Sequence, residues 1–118
     1  MDTTVSAEIA PQNRDTPSPE RHCLAERTLD FLAGKWRPMI IFWLMDGPLR
    51  FNALQRRLGP ITHRTLSRTL KDMQAAGLVE RRDHREIPPR VDYALTARGR
   101  SLEPVLQAME QWSRDHAV

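Results

Sequence analysis

The chain has 118 residues, 40% of them hydrophobic and 28% charged, enough for one compact domain with an ordinary core and too little for a second. Its 18 Lys and Arg against 15 Asp and Glu leave a formal net charge of only +3, so a surface that attracts polyanions must come from local clustering. A single cysteine, Cys23, excludes an internal disulfide framework and a cysteine-based zinc site. With no signal segment and no apolar run near the ~20 residues of a membrane span, a cytoplasmic protein without membrane contact is expected.

Residues 1–22 are polar, carry Pro11, Pro17 and Pro19, and show no helical or strand period; a disordered tail is expected there, with the folded domain over residues 23–118. A first helix is predicted from Leu24 to Ala33, with Leu29, Leu32 and Ala33 on one face and Gly34 as its stop. A second spans about Trp36 to Asp46, Pro38 being tolerated in its first turn. Its run Met39-Ile40-Ile41-Phe42-Trp43-Leu44-Met45 is apolar around nearly the whole circumference and suits a core or an interface.

Asn52 is expected to cap a third helix with Gln55 as its capping-box partner, Phe51, Leu54 and Leu58 facing inward and Gly59-Pro60 ending it. After a short turn Thr62 caps a fourth helix, Ile61 and Leu66 take the staple positions, and Gly77-Leu78 forms a Schellman exit with Leu78 against Met73. Two strands follow, Leu78 to Asp83 and Val91 to Leu95, the second alternating Val91, Tyr93 and Leu95 against Asp92 and Ala94. The loop between them, His84 to Arg90, is a wing. From Thr96 onward an amphipathic helix carries Leu102, Val105, Leu106, Met109 and Trp112 on one stripe, with Pro104 either kinking it or lying in its first turn. The predicted fold is α+β and mainly helical: a winged helix-turn-helix with a two-stranded wing and a C-terminal dimerisation helix.

On the fourth helix Leu66, Leu70 and Met73 fall on one stripe, while Arg64, Arg68 and Lys71 fall almost opposite, flanked by His63 and Ser67. Long cations beside short polar groups are the mixture used on phosphates and base edges, and the planar fork of arginine matches guanine N7 and O6. Arg50, Arg56 and Arg57 lie on or beside the preceding helix, and Arg81, Arg82, Arg85 and Arg90 in the hairpin. The DNA-binding residues inferred are Thr62, His63, Arg64, Ser67, Arg68 and Lys71 on the fourth helix, with Arg50, Asn52, Arg82, Arg85 and Arg90 on its flank and wing. The same cations also fit a merely solvated helix face, and Asp72, Asp83 and Glu86 temper the positive field.

The run Cys23, Gly34-Lys35-Trp36, Gly47-Pro48-Leu49-Arg50-Phe51-Asn52-Ala53-Leu54, Ile61-Thr62-His63-Arg64-Thr65-Leu66, Gly77-Leu78-Val79 and Pro88-Pro89-Arg90-Val91-Asp92-Tyr93-Ala94-Leu95-Thr96 resembles the HxlR-type winged helix-turn-helix regulators, which are MarR-like bacterial proteins. The resemblance reaches from Cys23 to about Trp112. It implies a dimeric transcription regulator whose fourth helix reads the major groove, whose wing contacts DNA alongside, and whose terminal helices form the dimer interface. The expected partners are an inverted-repeat duplex operator and a second copy of the chain. Where the family cysteine is often followed by proline, Leu24 follows here.

Cys23 follows Arg21 and His22, which favour a thiolate, and in some relatives this position senses oxidants or electrophiles. A redox sensor and an inert thiol at the core edge both remain open. No metal site is expected from His22, Cys23, His63, His84 and His116, whose spacing is irregular, and nothing calls for a cofactor. Trp36, Trp43 and Trp112 sit in apolar segments and are assigned to packing. The chain lacks a phosphate-cradling glycine loop, a nucleophile elbow and paired carboxylates, so no enzyme is expected. A winged helix used only for protein contact is the rival reading.

Overall fold

The computed structural model describes residues 24–116. The tail expected over residues 1–22 and the candidate sensor Cys23 lie outside the described residues. In chain order the elements are α1 (Leu24–Phe31), α2 (Trp36–Leu44), β1 (Leu49–Arg50), α3 (Phe51–Leu58), α4 (His63–Ala75), β2 (Val79–Asp83), β3 (Val91–Leu95), α5 (Ala97–Arg100) and α6 (Glu103–Asp115). Up to Asp30, α1 belongs to a separate unit, and everything else lies in the unit that starts at Phe31.

α1 stops at Phe31 rather than Ala33, and Gly34, with a φ of 86°, follows the break. The expected stripe is therefore split: Leu29 and Ala33 are exposed and only Leu32 is buried. α2 keeps Pro38 in its first turn, where backbone N–H groups have no helical partner to lose. Ile40, Ile41 and Leu44 of α2 are completely buried, whereas Phe42 is exposed and Trp43 half-buried. The all-round apolar surface is thus divided between the core and a groove of about 360 Å³ that α2 forms with α6, lined by Met39, Phe42, Trp43, Met45 and Leu106 with Glu110.

The N-cap of α3 is Arg50, with no side-chain cap, so the predicted Asn52 cap and Gln55 capping box are corrected. The helix follows directly on the two-residue strand β1, two residues earlier than expected, and Asn52 lies inside it. Gln55 instead donates from Nε2 to the Ile61 carbonyl at 3.1 Å, across the turn to α4. Gly59, with a φ of 87°, ends α3, and buried Ile61 anchors the turn.

The sheet has three antiparallel strands in the order β1-β3-β2, one more than predicted. Leu49 pairs with Tyr93 and Arg50 with Asp92, while β2 and β3 pair from Val79↔Leu95 to Asp83↔Val91. As the central strand, β3 departs from the expected alternation: Ala94 is buried together with Leu95, and Asp92 is half-buried. The single terminal helix is also corrected. Thr96 caps the short α5, a turn at Ser101-Leu102 intervenes, and Pro104 lies in the first turn of α6.

Both ends of α4 are built as the residues foretell. The Thr62 hydroxyl accepts from the Thr65 N–H at 3.1 Å. At the other end the Leu78 N–H donates to the Met73 carbonyl at 2.9 Å and the Gly77 N–H to that of Gln74 at 3.0 Å, the two bonds of a Schellman turn. Gly77 has a φ of 76°, a conformation that costs glycine least.

That turn is bolted to α5. The Thr96 hydroxyl donates to the Gly77 carbonyl and accepts from the Gly99 N–H, and the Thr96 N–H donates to the Leu78 carbonyl. Gly99 is buried against Leu78, and a Cβ there would overlap the Leu78 carbonyl oxygen. Gly99→Ala is therefore expected to destabilise the fold by about 1–3 kcal/mol, the usual cost of overpacking. Urea unfolding measures it, and an unchanged midpoint would contradict this account of the joint.

Candidate nucleic-acid interface

α4 has 13 residues; at ~1.5 Å per residue it is about 20 Å long. Leu66, Leu70 and Met73 are at most 1% exposed, so the helix cannot rotate about its axis without opening the core. The opposite face is consequently fixed outward. His63, Arg64, Ser67, Arg68 and Lys71 line one shallow depression there, together with Asp72. Among the described residues, Arg64, Arg68 and Lys71 form no ion pair with a carboxylate. Their charge is left available to an external anion.

The N-terminal end of this face is positioned by rings. His63 lies against Phe51 at a centroid distance of 4.5 Å, and Phe51 lies 6.4 Å from Tyr93 of β3. Aromatic contact thus joins the sheet, the start of α3 and the start of α4. Thr62 faces a different task from the other α4 candidates, because its hydroxyl accepts from the Thr65 N–H and donates to Thr65 Oγ1 at 2.9 Å.

On the flank, Arg50, Asn52 and Arg56 border a cleft whose far side is Pro89 and Val91 at the base of the wing. The wing cations divide into two groups that composition cannot distinguish. Arg82 pairs with Glu80 at 2.8 Å, and Arg90 lies 3.6 Å from Glu86 and 3.7 Å from Asp92. Arg81 and Arg85 form no such pair among the described residues. Asp92 stands in register between Arg50 and Arg82 and also meets His84, whose Nε2 is 2.8 Å from its Oδ2. With a side chain only 14% exposed, Asp92 is the anchor of the wing base. Sequence reasoning missed that anchor, and its signal was the alternation of Arg82, His84 and Arg90 around one inward acid.

The chemistry such a surface offers is positive charge and hydrogen-bond donors, which suit an anion; among the described residues no group of three His, Cys, Asp or Glu side chains could hold a metal ion. No helix of the described residues is long and apolar enough to cross a membrane.

The sequence model of the HxlR-like helix-turn-helix family matches residues 31–118. The chain belongs to that family. Among its relatives, an HTH-type transcriptional regulator of Methanothermobacter thermautotrophicus is 39% identical over 100 residues, covering 85% of this chain and 76% of the relative. The regulator YkvN of Bacillus subtilis is 39% identical over 95 residues, covering 80% of each chain.

Among solved structures, the oxidised form of the redox regulator HypR matches with a TM-score of 0.72 at 39% identity, covering 79% of this chain and 96% of that one. The reduced transcriptional regulator YodB of B. subtilis matches with a TM-score of 0.71 at 33% identity, covering 83% and 92%. This HxlR-like chain is therefore a transcriptional regulator with a helix-turn-helix domain, a class of proteins that are not enzymes. Within that fold α3 and α4 are the helix-turn-helix, and β2 and β3 form the wing.

Proposed function

We propose that the chain binds double-stranded DNA as a homodimer, with α4 in the major groove and the wing alongside, and thereby regulates transcription in the cytoplasm. One observation carries this reading: Arg64, Arg68 and Lys71 stand unpaired among the described residues on the face of a helix whose other face is locked in the core. Arg64 and Arg68 read bases, Lys71 and Arg85 bind phosphates, and His63 and Ser67 supply short donors. Arg50 and Asn52 approach the backbone from the flank. Arg82 and Arg90 chiefly hold the wing in shape through their carboxylate partners, and Thr62 chiefly caps α4.

The terminal stripe favours a second copy as partner. Leu102, Val105 and Leu106 are partly buried against the chain's own core, but Met109 is 46% exposed and Trp112 57% exposed. These two residues extend the apolar surface of α6 beyond the groove it forms with α2. A two-fold dimer through this face would set the recognition helices about one helical turn, ~34 Å, apart on an inverted repeat.

Binding to a duplex selected from a random pool tests the reading, with light scattering to count subunits. The full chain is expected to bind as a dimer with steep salt dependence. Arg64→Ala or Arg68→Ala should lose about 1–3 kcal/mol and relax preference at one base pair. Lys71→Ala should weaken all duplexes alike and reduce the salt slope by about 1. Salt-independent binding, or none, would instead favour a winged helix devoted to protein contact, and a monomer that binds at full strength would remove the dimer.

HypR is a redox regulator, and YodB has been solved diamide-treated and quinone-bound. These neighbours favour a second element of the reading, that Cys23 couples oxidation or electrophile attack to DNA binding. With one cysteine per chain, the reversible products are an intersubunit disulfide, a mixed disulfide or a sulfenic acid. Diamide should change the affinity of the unaltered chain reversibly and leave Cys23→Ser unchanged. An equal response from the serine variant would place the sensor elsewhere.

A further inference from the structure

The wing ends in a tip unlike the rest of the interface. Ile87 is 101% exposed, so its branched side chain touches nothing in the fold, and Pro88 and Pro89 beside it are exposed too. Single exposed apolar residues are ordinary on protein surfaces. Here three occur in a row at the end of a projecting hairpin, between Glu86 and Arg90, whose charges face each other 3.6 Å apart beneath the tip. Prolines carry no backbone N–H, and the isoleucine side chain forms no hydrogen bond, so residues 87–89 are poorly made for gripping phosphates.

The tip is nevertheless held firmly. The loop is closed by the His84 N–H donating to the Arg90 carbonyl at 2.9 Å, and below it His84 and Arg90 both meet Asp92. Arg85, exposed and without a carboxylate partner among the described residues, stands just before the apolar run. Its backbone N–H is bound to Asp83 Oδ1 at 2.9 Å, which fixes where its side chain leaves the hairpin.

We propose that Ile87 is an apolar wedge for the minor groove of duplex DNA, entering beside Arg85 and resting on sugar walls and a base step. The inference rests on the DNA-binding reading above and assigns the wing tip a contact distinct from phosphate. The minor groove is about 6 Å wide, too narrow for a helix but open to one branched side chain. Apolar side chains inserted there partly unstack a step and bend the duplex toward the major groove, while the neighbouring Arg85 keeps its contact with a flanking phosphate. Flexible pyrimidine–purine steps are the sequences at which such insertion costs least.

Salt separates the wedge from an ionic contact, because an apolar contact releases no counterions. The experiment uses the full chain and a duplex it selects from a random pool, with 2-aminopurine placed at the steps the wing protects. Affinity across salt concentrations, 2-aminopurine fluorescence and duplex bending are measured for the unaltered chain, Ile87→Asn, Ile87→Leu and Arg85→Ala. Ile87→Asn is expected to bind roughly tenfold more weakly at every salt concentration, with an unchanged slope and without the fluorescence rise or the bend. Ile87→Leu should keep both signals, and Arg85→Ala should lower the slope by about 1.

Because Ile87 makes no contact in the fold, its substitution removes no packing. If Ile87→Asn binds and bends DNA like the unaltered chain, the wedge is wrong and the tip serves a protein partner. A lowered salt slope for Ile87→Asn would also overturn it, by making the loss electrostatic. Enrichment of no duplex at all would bring down the DNA-binding reading itself, and the wedge with it.

Discussion

The structure turns on the fixation of α4. A helix whose side chains at Leu66, Leu70 and Met73 are fully enclosed has one permitted rotation, and its ends are closed by the Thr62 cap and the Gly77-Leu78 turn. Terminal capping typically contributes about 1 kcal/mol and prevents fraying of the turn that carries His63 and Arg64. The Gly77 end is tied through Thr96 to α5, and the His63 end through Phe51 to β3. Positions of the cations on α4 are therefore inherited from the whole core rather than set by loops. A rigid element is what base reading needs, since bidentate contacts tolerate little misplacement.

The charges on this scaffold are sorted by function through pairing. On α4 the cations form no ion pair among the described residues, although Asp72 borders the same depression, while in the wing Glu80, Glu86 and Asp92 occupy Arg82 and Arg90. Exposed pairs such as Arg82–Glu80 contribute little stability, because solvent screens them. Their effect here is to shape the hairpin and to leave the positive charge that is unpaired among the described residues on α4, on its flank at Arg50 and Arg56, and at Arg81 and Arg85 in the wing. That contrast explains how a chain with a net charge of only +3 presents a strongly cationic face.

Local rules made most of this legible. α4 was readable because its period, cap and Schellman exit all agree, and the wing loop because Pro88 and Pro89 separate the end of β2 from the start of β3. What escaped depended on distant partners. β1 is two residues long and exists only through pairing with β3, which displaced the expected Asn52 cap and freed Gln55 to bridge to Ile61. Ala94 is buried because β3 is central, a fact that alternation within one strand does not contain. The stripe from Leu102 to Trp112 was visible, but its division into a covered half and an uncovered half follows from where α2 lies. In the same way, the list of cations was legible and their division into free and paired ones was not, since hairpin register decides it.

The central claim, that the outward face of α4 enters the major groove, is tested most directly by dimethyl sulfate footprinting of a selected duplex bound by the full chain. The reagent methylates guanine N7, which lies in the major groove where Arg64 and Arg68 are expected to sit. The account predicts protected guanines in two tracts about one helical turn, ~34 Å, apart, with protection in both lost together in Arg64→Ala. Guanine N7 equally reactive with and without the bound chain, at saturating binding, would contradict it.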